Sequence, residues 1–313
     1  MTEPAPEHLQ ESLSLDSTAQ LLTRITAQLG TQLSLVSRNG IRRPMDRTPQ
    51  QPPHSNVSPL TPAAPALVAV AHGSRDPRAL HTVTGLLDRV RELRPGLDVR
   101  LGHIELNAPL LPQTLDGLGS GEAVLVPLLL GRGYHVKQDI PDAVAGAPAL
   151  RTRTAVPLGP HPLLVEALHG RLTEAGWRTE DDGNRNSAVV LAAAGSRDPE
   201  SAADTRRTAR LLSERLGGVP VVPAYASAAT PTVPAALRAL AARGRRRVAV
   251  ASYFAAPGRF ASAAAAEAPW IAAAPLGAHP AVARLLLHRY DQARAGGAAA
   301  YETLMNTRFL VSA

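Results

Sequence analysis

The stretch VAVAHGSRDP at residues 68–77 decides how this chain folds. Its apolar part belongs to a continuous run over residues 66–71, which is typical of a strand buried on both faces of a parallel sheet. Asp76 and Pro77 have the side chains preferred at the N-cap and at the first position of a helix. The pattern therefore predicts a strand, a glycine turn and a helix in direct succession.

This pattern occurs a second time, as VLAAAGSRDP at residues 190–199. Further segments repeat in the same order, and strand-like and helix-like patterns alternate through both copies. The matched segments are 100–118 with 222–240, 122–135 with 246–260, and 156–168 with 274–286. In the first copy the predicted strands cover 66–71, 98–106, 122–130 and 151–159. The sequence thus predicts an α/β protein of two tandem flavodoxin-like halves, each with a parallel sheet and related by a pseudo-twofold axis.

The rest of the chain differs from these halves in composition. Residues 1–65 contain proline-rich and polar stretches, so we predict a disordered extension, with a short amphipathic helix at 21–35 as the alternative. The predicted halves cover 66–180 and 187–295, with a linker near 179–187 and a C-terminal tail over 296–313. Because both halves lie in one chain, a monomer is expected.

Composition excludes several kinds of site. The 313 residues include no cysteine, which excludes disulfides, thiolate metal sites and cysteine nucleophiles. The net charge of +7 comes from dispersed arginines, and with 3% aromatic residues the chain shows no nucleic-acid-binding pattern. A positive field still suits a small substrate with many carboxylates. Neither a membrane-length apolar run nor a signal sequence is evident, so we expect a cytoplasmic protein with no membrane partner.

Three ionisable residues follow the predicted strands of the first half. His72 ends the first strand, Glu105 lies near the end of the second, and His135 lies in the loop after the third. Because open α/β sheets bind ligands beyond the carboxyl ends of their strands, these side chains are expected to meet at one edge. Gly73 would let the backbone approach a ligand there, in a cleft between the two halves.

The second half has lost all three ionisable groups although it keeps GSRDP and the paired prolines. The corresponding residues are Ala194, Ser227 and, depending on a slip of one position, Arg259 or Phe260. Residues needed only for packing or capping would be expected to survive as well as the rest of the repeat. The selective loss therefore predicts one functional site, carried by the first half.

Three motifs of the first half resemble those of a known family. H-G-S-R at 72–75, E-x-x-x-P at 105–109 and G-x-H-x-x-x-D-I-P at 133–141 resemble the sirohydrochlorin chelatases of the CbiX/SirB type. The resemblance covers roughly residues 66–295 and is closest to the fused form with a degenerate second half. It implies insertion of Fe2+ or Co2+ into sirohydrochlorin, in sirohaem or cobalamin biosynthesis. It also implies that His72, Glu105 and His135 lie in the metal and tetrapyrrole cleft.

The chemistry of these residues suits metal insertion. Neutral imidazoles bind Fe2+ and Co2+ reversibly, and His72 and His135 can accept the displaced pyrrole protons near neutral pH. Glu105 would hold the cation or accept a further proton. The metal is then a substrate, and no tightly bound cofactor is expected. Sirohydrochlorin has eight carboxylates, and the residues expected to bind this substrate are Gly73, Ser74, Arg75, Arg132 and Gly133.

Other functions stay open at this point. One is a non-catalytic carrier of metal or tetrapyrrole, and another is a regulatory module whose N-terminal extension recruits a partner. A hydrolase is less favoured, because HGSR lacks the nucleophile elbow around its serine. Further residues are given local roles: Asp139 and Pro141 as N-cap and helix entry, Lys137 as an exposed loop lysine, His103 as a residue beside the site, and His161 and His279 as helix starts.

Overall fold

The computed structural model describes residues 64–178 and 186–296. The predictions for the N-terminal extension, the linker and the C-terminal tail fall almost wholly outside these residues, and the exact domain boundaries stay predictions. Within the described ranges, no helix is long and apolar enough to cross a membrane.

Strands and helices alternate along the first half, as the sequence pattern predicts. Its strands are β1 (Ala66–Ala71), β2 (Val99–His103), β3 (Gly121–Pro127) and β4 (Leu150–Thr154). Its helices are α1 (Pro77–Leu93), α2 (Leu111–Asp116), α3 (Tyr134–Lys137), α4 (Asp139–Ala145) and α5 (Pro162–Glu174).

The second half repeats this order. Its strands are β5 (Ser187–Ala193), β6 (Val221–Tyr225), β7 (Arg247–Tyr253) and β8 (Ile271–Ala272). Its helices are α6 (Pro199–Arg215), α7 (Val233–Ala242), α8 (Arg259–Ala266) and α9 (Pro280–Arg294). In this half the single helix α8 stands where the first half has α3 and α4.

Each half contains one parallel four-stranded sheet. The strand orders are β2-β1-β3-β4 and β6-β5-β7-β8, so both halves have the same topology. The predicted α/β class with two tandem parallel-sheet halves is confirmed. β1 and β5 are interior strands and every residue of both is buried, so each is covered on both faces.

The packing of the central strands joins the two halves. In β1, Leu67 and Ala69 contribute to an apolar cluster that also contains Val189 of β5, whereas Val68 lies in a separate cluster on the opposite face. Helix α9 of the second half packs against α5 and α1 of the first. The two halves therefore share one continuous core, which fixes how their sheets face each other.

The helix starts follow the sequence signals. Asp76 accepts a hydrogen bond from the backbone N–H of Arg78 at 3.0 Å and caps α1, with Pro77 as the first helical residue. His161 and His279 cap α5 and α9, and the Nδ1 atom of each accepts a backbone N–H two residues ahead, at 3.1 and 3.2 Å. These two histidines have the structural role expected from their survival in both halves.

Reciprocal contacts relate the halves by an approximate twofold axis. A Cβ on Gly133 would lie 3.7 Å from Oγ of Ser196, and a Cβ on Gly258 would lie 3.7 Å from Oγ of Ser74. The serine of each GSRDP turn thus faces the glycine loop of the other half. The turn and the loop of one half form a cleft only together with those of the other.

The strands are shorter than the sequence predicts. β2 ends at His103, whose backbone N–H donates to the carbonyl of Pro109 at 3.0 Å as the chain folds back on itself. β3 ends at Pro127 and β4 at Thr154, also earlier than predicted. Glu105 therefore lies in a loop beyond the sheet, next to Leu106, which has a φ of 68°.

Candidate active site

A cleft of about 1240 Å³ lies between the halves, beyond the carboxyl ends of the central strands. It exceeds the roughly 300–1,000 Å³ of ordinary small-molecule pockets. The turn after β1, the loop after β2 and the loop after β3 line it on one side, and the equivalent segments of the second half line the other. All three predicted ionisable residues, together with Gly73, Ser74, Arg75 and Gly133, line this cleft.

His72 and Glu105 face each other on the first-half wall. Nδ1 of His72 lies 3.6 Å from Oε1 of Glu105, and the side chains are 44% and 54% exposed. Their backbones are also joined, because the N–H of Glu105 donates to the carbonyl of His72 at 3.0 Å. The imidazole nitrogen and the carboxylate oxygen thus lie side by side, as two neighbouring donor atoms for a cation.

Gly73 makes this close approach of two chain segments possible. It has a φ of +102°, and a Cβ there would lie 1.8 Å from the carbonyl oxygen of Glu105. Gly195 meets Ser227 in the same way, with a φ of +89° and the same 1.8 Å. The structure thus gives a further reason for Gly73 beside the predicted approach to a ligand: any side chain there would push the Glu105 loop away.

Asn107 is a site residue that the sequence reasoning missed. Its Oδ1 accepts a hydrogen bond from the backbone N–H of Ser74 at 2.6 Å, which ties the HGSR turn to the loop of Glu105. The second half has Ala229 at the equivalent position, so the same comparison that singled out His72 could have identified it.

His135 completes the group from helix α3. Its ring lies edge-on to that of His72, with centroids 4.5 Å apart and planes at 82°. Its Nδ1 is hydrogen-bonded to Oδ2 of Asp139, one helical turn ahead. An ionised carboxylate only accepts, so Nδ1 carries the proton and Nε2 keeps a lone pair for a metal or a proton. The predicted N-cap role of Asp139 is wrong: Gln138 holds the N-cap position, and Asp139 orients the imidazole.

These side chains are neighbours without forming a closed metal cage. Among the residues that the structure describes, no group of three or more His, Asp or Glu is arranged to hold a metal ion. His72, Glu105 and His135 are all partly solvent-exposed, so packing does not lock their side chains in one position. Such an open arrangement suits an ion that is bound briefly and passed on.

The second half carries only the framework of this site. Gly258 precedes α8 as Gly133 precedes α3, which aligns Phe260 with His135 and settles the one-residue slip. The hydroxyl of Ser227 donates to the backbone carbonyl of Ala194 at 3.0 Å, so a bond from side chain to backbone stands in place of the histidine–glutamate pair. Aromatic residues also line the cleft, a feature not predicted from the sequence; they are Tyr134, Tyr253, Phe254 and Phe260.

Arg132 does not line the cleft, in contrast to its expected contact with substrate. Its Nη1 lies 2.7 Å from Oε1 of Glu200, and its Nη2 lies 2.8 Å from Oδ1 of Asp204, both on α6 of the second half. Its guanidinium is therefore committed to a contact between the halves. The sequence could not show this, because the partners lie 68 and 72 residues further along the chain.

Lys137 was predicted to be an exposed loop lysine; its side chain is exposed, but it lies in a helix and pairs with two carboxylates. It ends α3, and its Nζ lies 2.6 Å from a carboxylate oxygen of both Asp198 and Glu200. Hydrogen bonds to Asp198 and Glu200 raise the pKa of Lys137, and the bond to Lys137 is the main cause that lowers the pKa of each carboxyl. All three groups are therefore charged at neutral pH.

His103 lies at the base of the cleft but is almost fully buried, with 2% exposure. Its Nδ1 lies 3.2 Å from the carbonyl oxygen of Pro109, and burial lowers its pKa. A neutral His103 that donates to this carbonyl stabilises the turn after β2. It supports the loop of Glu105 from below.

Comparison with known proteins agrees with this geometry. The chain is 28% identical over 173 residues to the sirohydrochlorin ferrochelatase of Bacillus subtilis, a match that covers 53% of this chain and 64% of the relative. It is 26% identical over 196 residues to the sirohydrochlorin cobaltochelatase of Priestia megaterium, covering 60% of this chain and 63% of that protein. The chain thus spans less than two thirds of the length of these relatives.

Solved structures show the same fold. SirB from Bacillus subtilis with Fe3+ superposes with a TM-score of 0.59 at 23% identity, covering 74% of this chain and 95% of that one. CbiX, described as the terminal enzyme for biosynthesis of sirohaem in denitrifying bacteria, superposes with a TM-score of 0.55 at 22% identity, covering 73% of this chain and 99% of that one.

The CbiX family model matches residues 66–175 and again 188–293, one match for each half. The chain therefore belongs to the CbiX family.

Proposed function

We propose that this protein is a sirohydrochlorin chelatase that inserts Fe2+ or Co2+ into the tetrapyrrole. One observation carries the proposal: His72, Glu105 and His135 converge on one wall of a large cleft, and the opposite wall lacks all three groups. The named relatives are a ferrochelatase and a cobaltochelatase for sirohydrochlorin, which agrees with both metals.

The proposed reaction exchanges one divalent ion for two protons. His72, His135 and Glu105 bind the hydrated ion, and their nitrogen and oxygen donors replace part of its water shell. As the ion moves to the four ring nitrogens, two pyrrole N–H groups release their protons. The two imidazoles, freed of the ion, accept those protons and pass them to solvent. No electron is transferred, and the metal enters and leaves as M2+.

The opposite wall would hold the flat ring in this scheme. Phe254 and Phe260 supply apolar faces from the second half, and Arg259 and Arg75 are exposed cations at the cleft. Arginine binds carboxylates in a bidentate way, which suits a ligand with eight of them at its edge. Ser74 and Gly133 line the same cleft, each two residues along the chain from one of the histidines, and would contact the ring.

A monomer in the cytoplasm is part of the same proposal. The cleft draws its two walls from one chain, so a second copy is not needed to complete it. A reducing compartment also keeps iron as Fe2+.

The test is anaerobic insertion of Fe2+ and of Co2+ into sirohydrochlorin, followed by absorbance. Wild type should accelerate insertion above the spontaneous rate, and His72→Ala and His135→Ala should each lower kcat/KM by about 100-fold or more. His81→Ala is the matched control, because His81 is exposed on α1 and does not line the cleft. Stoichiometric binding of metal or tetrapyrrole by folded wild type, without turnover, would show a carrier instead.

A further inference from the structure

An ionic network joins the histidine-bearing loop to the second half; we name it the inter-half clamp. Arg132 and Lys137 belong to the first half, and the carboxylates of Asp198, Glu200 and Asp204 belong to the second. Four N···O distances of 2.6–2.8 Å connect them. Glu200 occupies the centre, because one of its oxygens faces Arg132 and the other faces Lys137.

The acceptor side of the clamp is held firmly. Asp204 is only 5% exposed and accepts from the backbone N–H of Arg132 at 3.1 Å as well as from its guanidinium. Asp198 caps α6 by accepting from the N–H of Glu200 at 2.9 Å. These carboxylates stand on the first turns of a 17-residue helix, so their positions are set by the second half.

The donor side cannot hold its own position. Helix α3 is a single turn of four residues, and both Gly131 and Gly133 lie just before it. A helix of one turn is unstable by itself, because the conformational cost of nucleation exceeds the gain from its few hydrogen bonds. His135 stands in this turn, between Arg132 and Lys137, so the contacts on its two sides decide where the imidazole lies.

The clamp exists only on the side of the molecule that carries the histidines. At the mirror positions, Pro257 and Ser262 replace the two cations, and Arg78 and Thr82 replace two of the acids. The carboxylate of Asp76 instead bonds Arg78 within its own helix, 2.7 Å from Nη2. Cations thus meet carboxylates of the other half at the loop that carries His135, and the equivalent loop of the second half has no such pairing of residue types.

We propose that Lys137 and Arg132 are positioning residues, and that the second half holds α3 through the clamp so that His135 faces His72. This gives the degenerate half a function beyond forming a wall of the cleft. The kinetic consequence rests on the proposed chelatase function, whereas the structural consequence does not.

The structural test uses the fact that Lys137 is the only lysine in the chain. Labelling with 15N-lysine then gives one backbone amide signal, from α3 itself, whose N–H donates to the carbonyl of Gly133 at 3.2 Å. Glu200→Arg should speed hydrogen exchange of this amide by about tenfold or more, because it repels both cations. The matched control is Glu166→Arg, which breaks an exposed pair with Arg284, also between the halves. Equal exchange in wild type and both variants would overturn the clamp; if Glu200→Arg does not fold, Glu200→Gln decides in the same way.

The kinetic test compares Lys137→Met with Lys137→Arg. Loss of the charge should lower kcat/KM for metal insertion by roughly tenfold and weaken Co2+ binding, with the melting temperature little changed, and arginine should restore most of the loss. Unchanged insertion and Co2+ binding in folded Lys137→Met would refute the positioning role. If wild type itself inserts no metal, the proposed function fails, and the amide exchange still decides whether the clamp holds α3.

Discussion

Acidification should destabilise this protein through His161, which lies where the two halves pack together. Its ring caps α5 and lies 5.0 Å from that of His288 on α9, near the buried guanidinium of Arg289. Burial, followed by the positive charges of Arg289 and His288, lowers the pKa of His161 to about 3. Protonation would add a cation beside Arg289 and remove the lone pair that accepts the N–H of Leu163.

The sign and size follow from the two pKa values. The unfolded chain binds a proton at His161 below about pH 6.5, and the folded chain binds one only below about pH 3. The free energy of unfolding therefore decreases as the pH is lowered from about 6.5 to about 3. The slope approaches roughly 1.4 kcal/mol per pH unit, and the change between pH 7 and pH 5 is about 2 kcal/mol from this residue. Below pH 3 the contribution is constant.

Urea unfolding of wild type and His161→Asn at pH 7 and pH 5 measures this effect. Asparagine is a good N-cap that does not titrate, so the variant should lose about 2 kcal/mol less on acidification, whatever its stability at pH 7. Other groups, including Asp291 beside His288, titrate in both proteins and cancel in the comparison. The same loss in both proteins would refute the placement of a neutral His161 in the folded state.

Two further predictions concern the site itself. Asp139→Asn should lower Co2+ affinity and kcat/KM for insertion by about 10- to 100-fold, because the imidazole of His135 loses the carboxylate that orients it. Asp142→Asn, also in α4, serves as the control in the same metal titration. Gly73→Ala should lower the melting temperature far more than Gly96→Ala does. Both glycines have positive φ, but a Cβ would lie 1.8 Å from a backbone carbonyl at the first and has open space at the second, so equal losses would contradict the structure.

The sequence predicted the parts of the fold that depend on local pattern. The apolar run before Gly73, the cap at Asp76 and the repeat of GSRDP fix strand, turn and helix in order, and these determine a parallel sheet in each half. Strand ends were predicted too late, because the apolar patterns continue past the point where the chain leaves the sheet. At Glu105 the ladder has already stopped, since the chain folds back at Pro109.

The sequence predicted which residues form the candidate site, but it predicted fewer of the contacts that they make. Placement of His72, Glu105 and His135 follows from topology, because the carboxyl ends of parallel strands meet at one edge. The hydrogen bond from His135 to Asp139 was accessible from their spacing of four residues, which is about one helical turn, although α3 ends at Lys137 and Asp139 begins α4. The partners of Arg132 were not, because they lie on a helix of the other half and no local pattern indicates which cation will meet them.

The duplication nevertheless contains the missing information as a difference between the copies. Comparing the halves for lost ionisable groups identifies the histidines. Comparing them for changes of charge identifies the inter-half clamp, because Ser262 stands at the position equivalent to Lys137 and Arg78 at the position equivalent to Glu200. A half that served only as a packing partner would not need three carboxylates where it meets the histidine loop. These carboxylates therefore indicate that the second half has to hold helix α3, in addition to forming a wall of the cleft. If α3 keeps its order without Glu200, this inference is wrong.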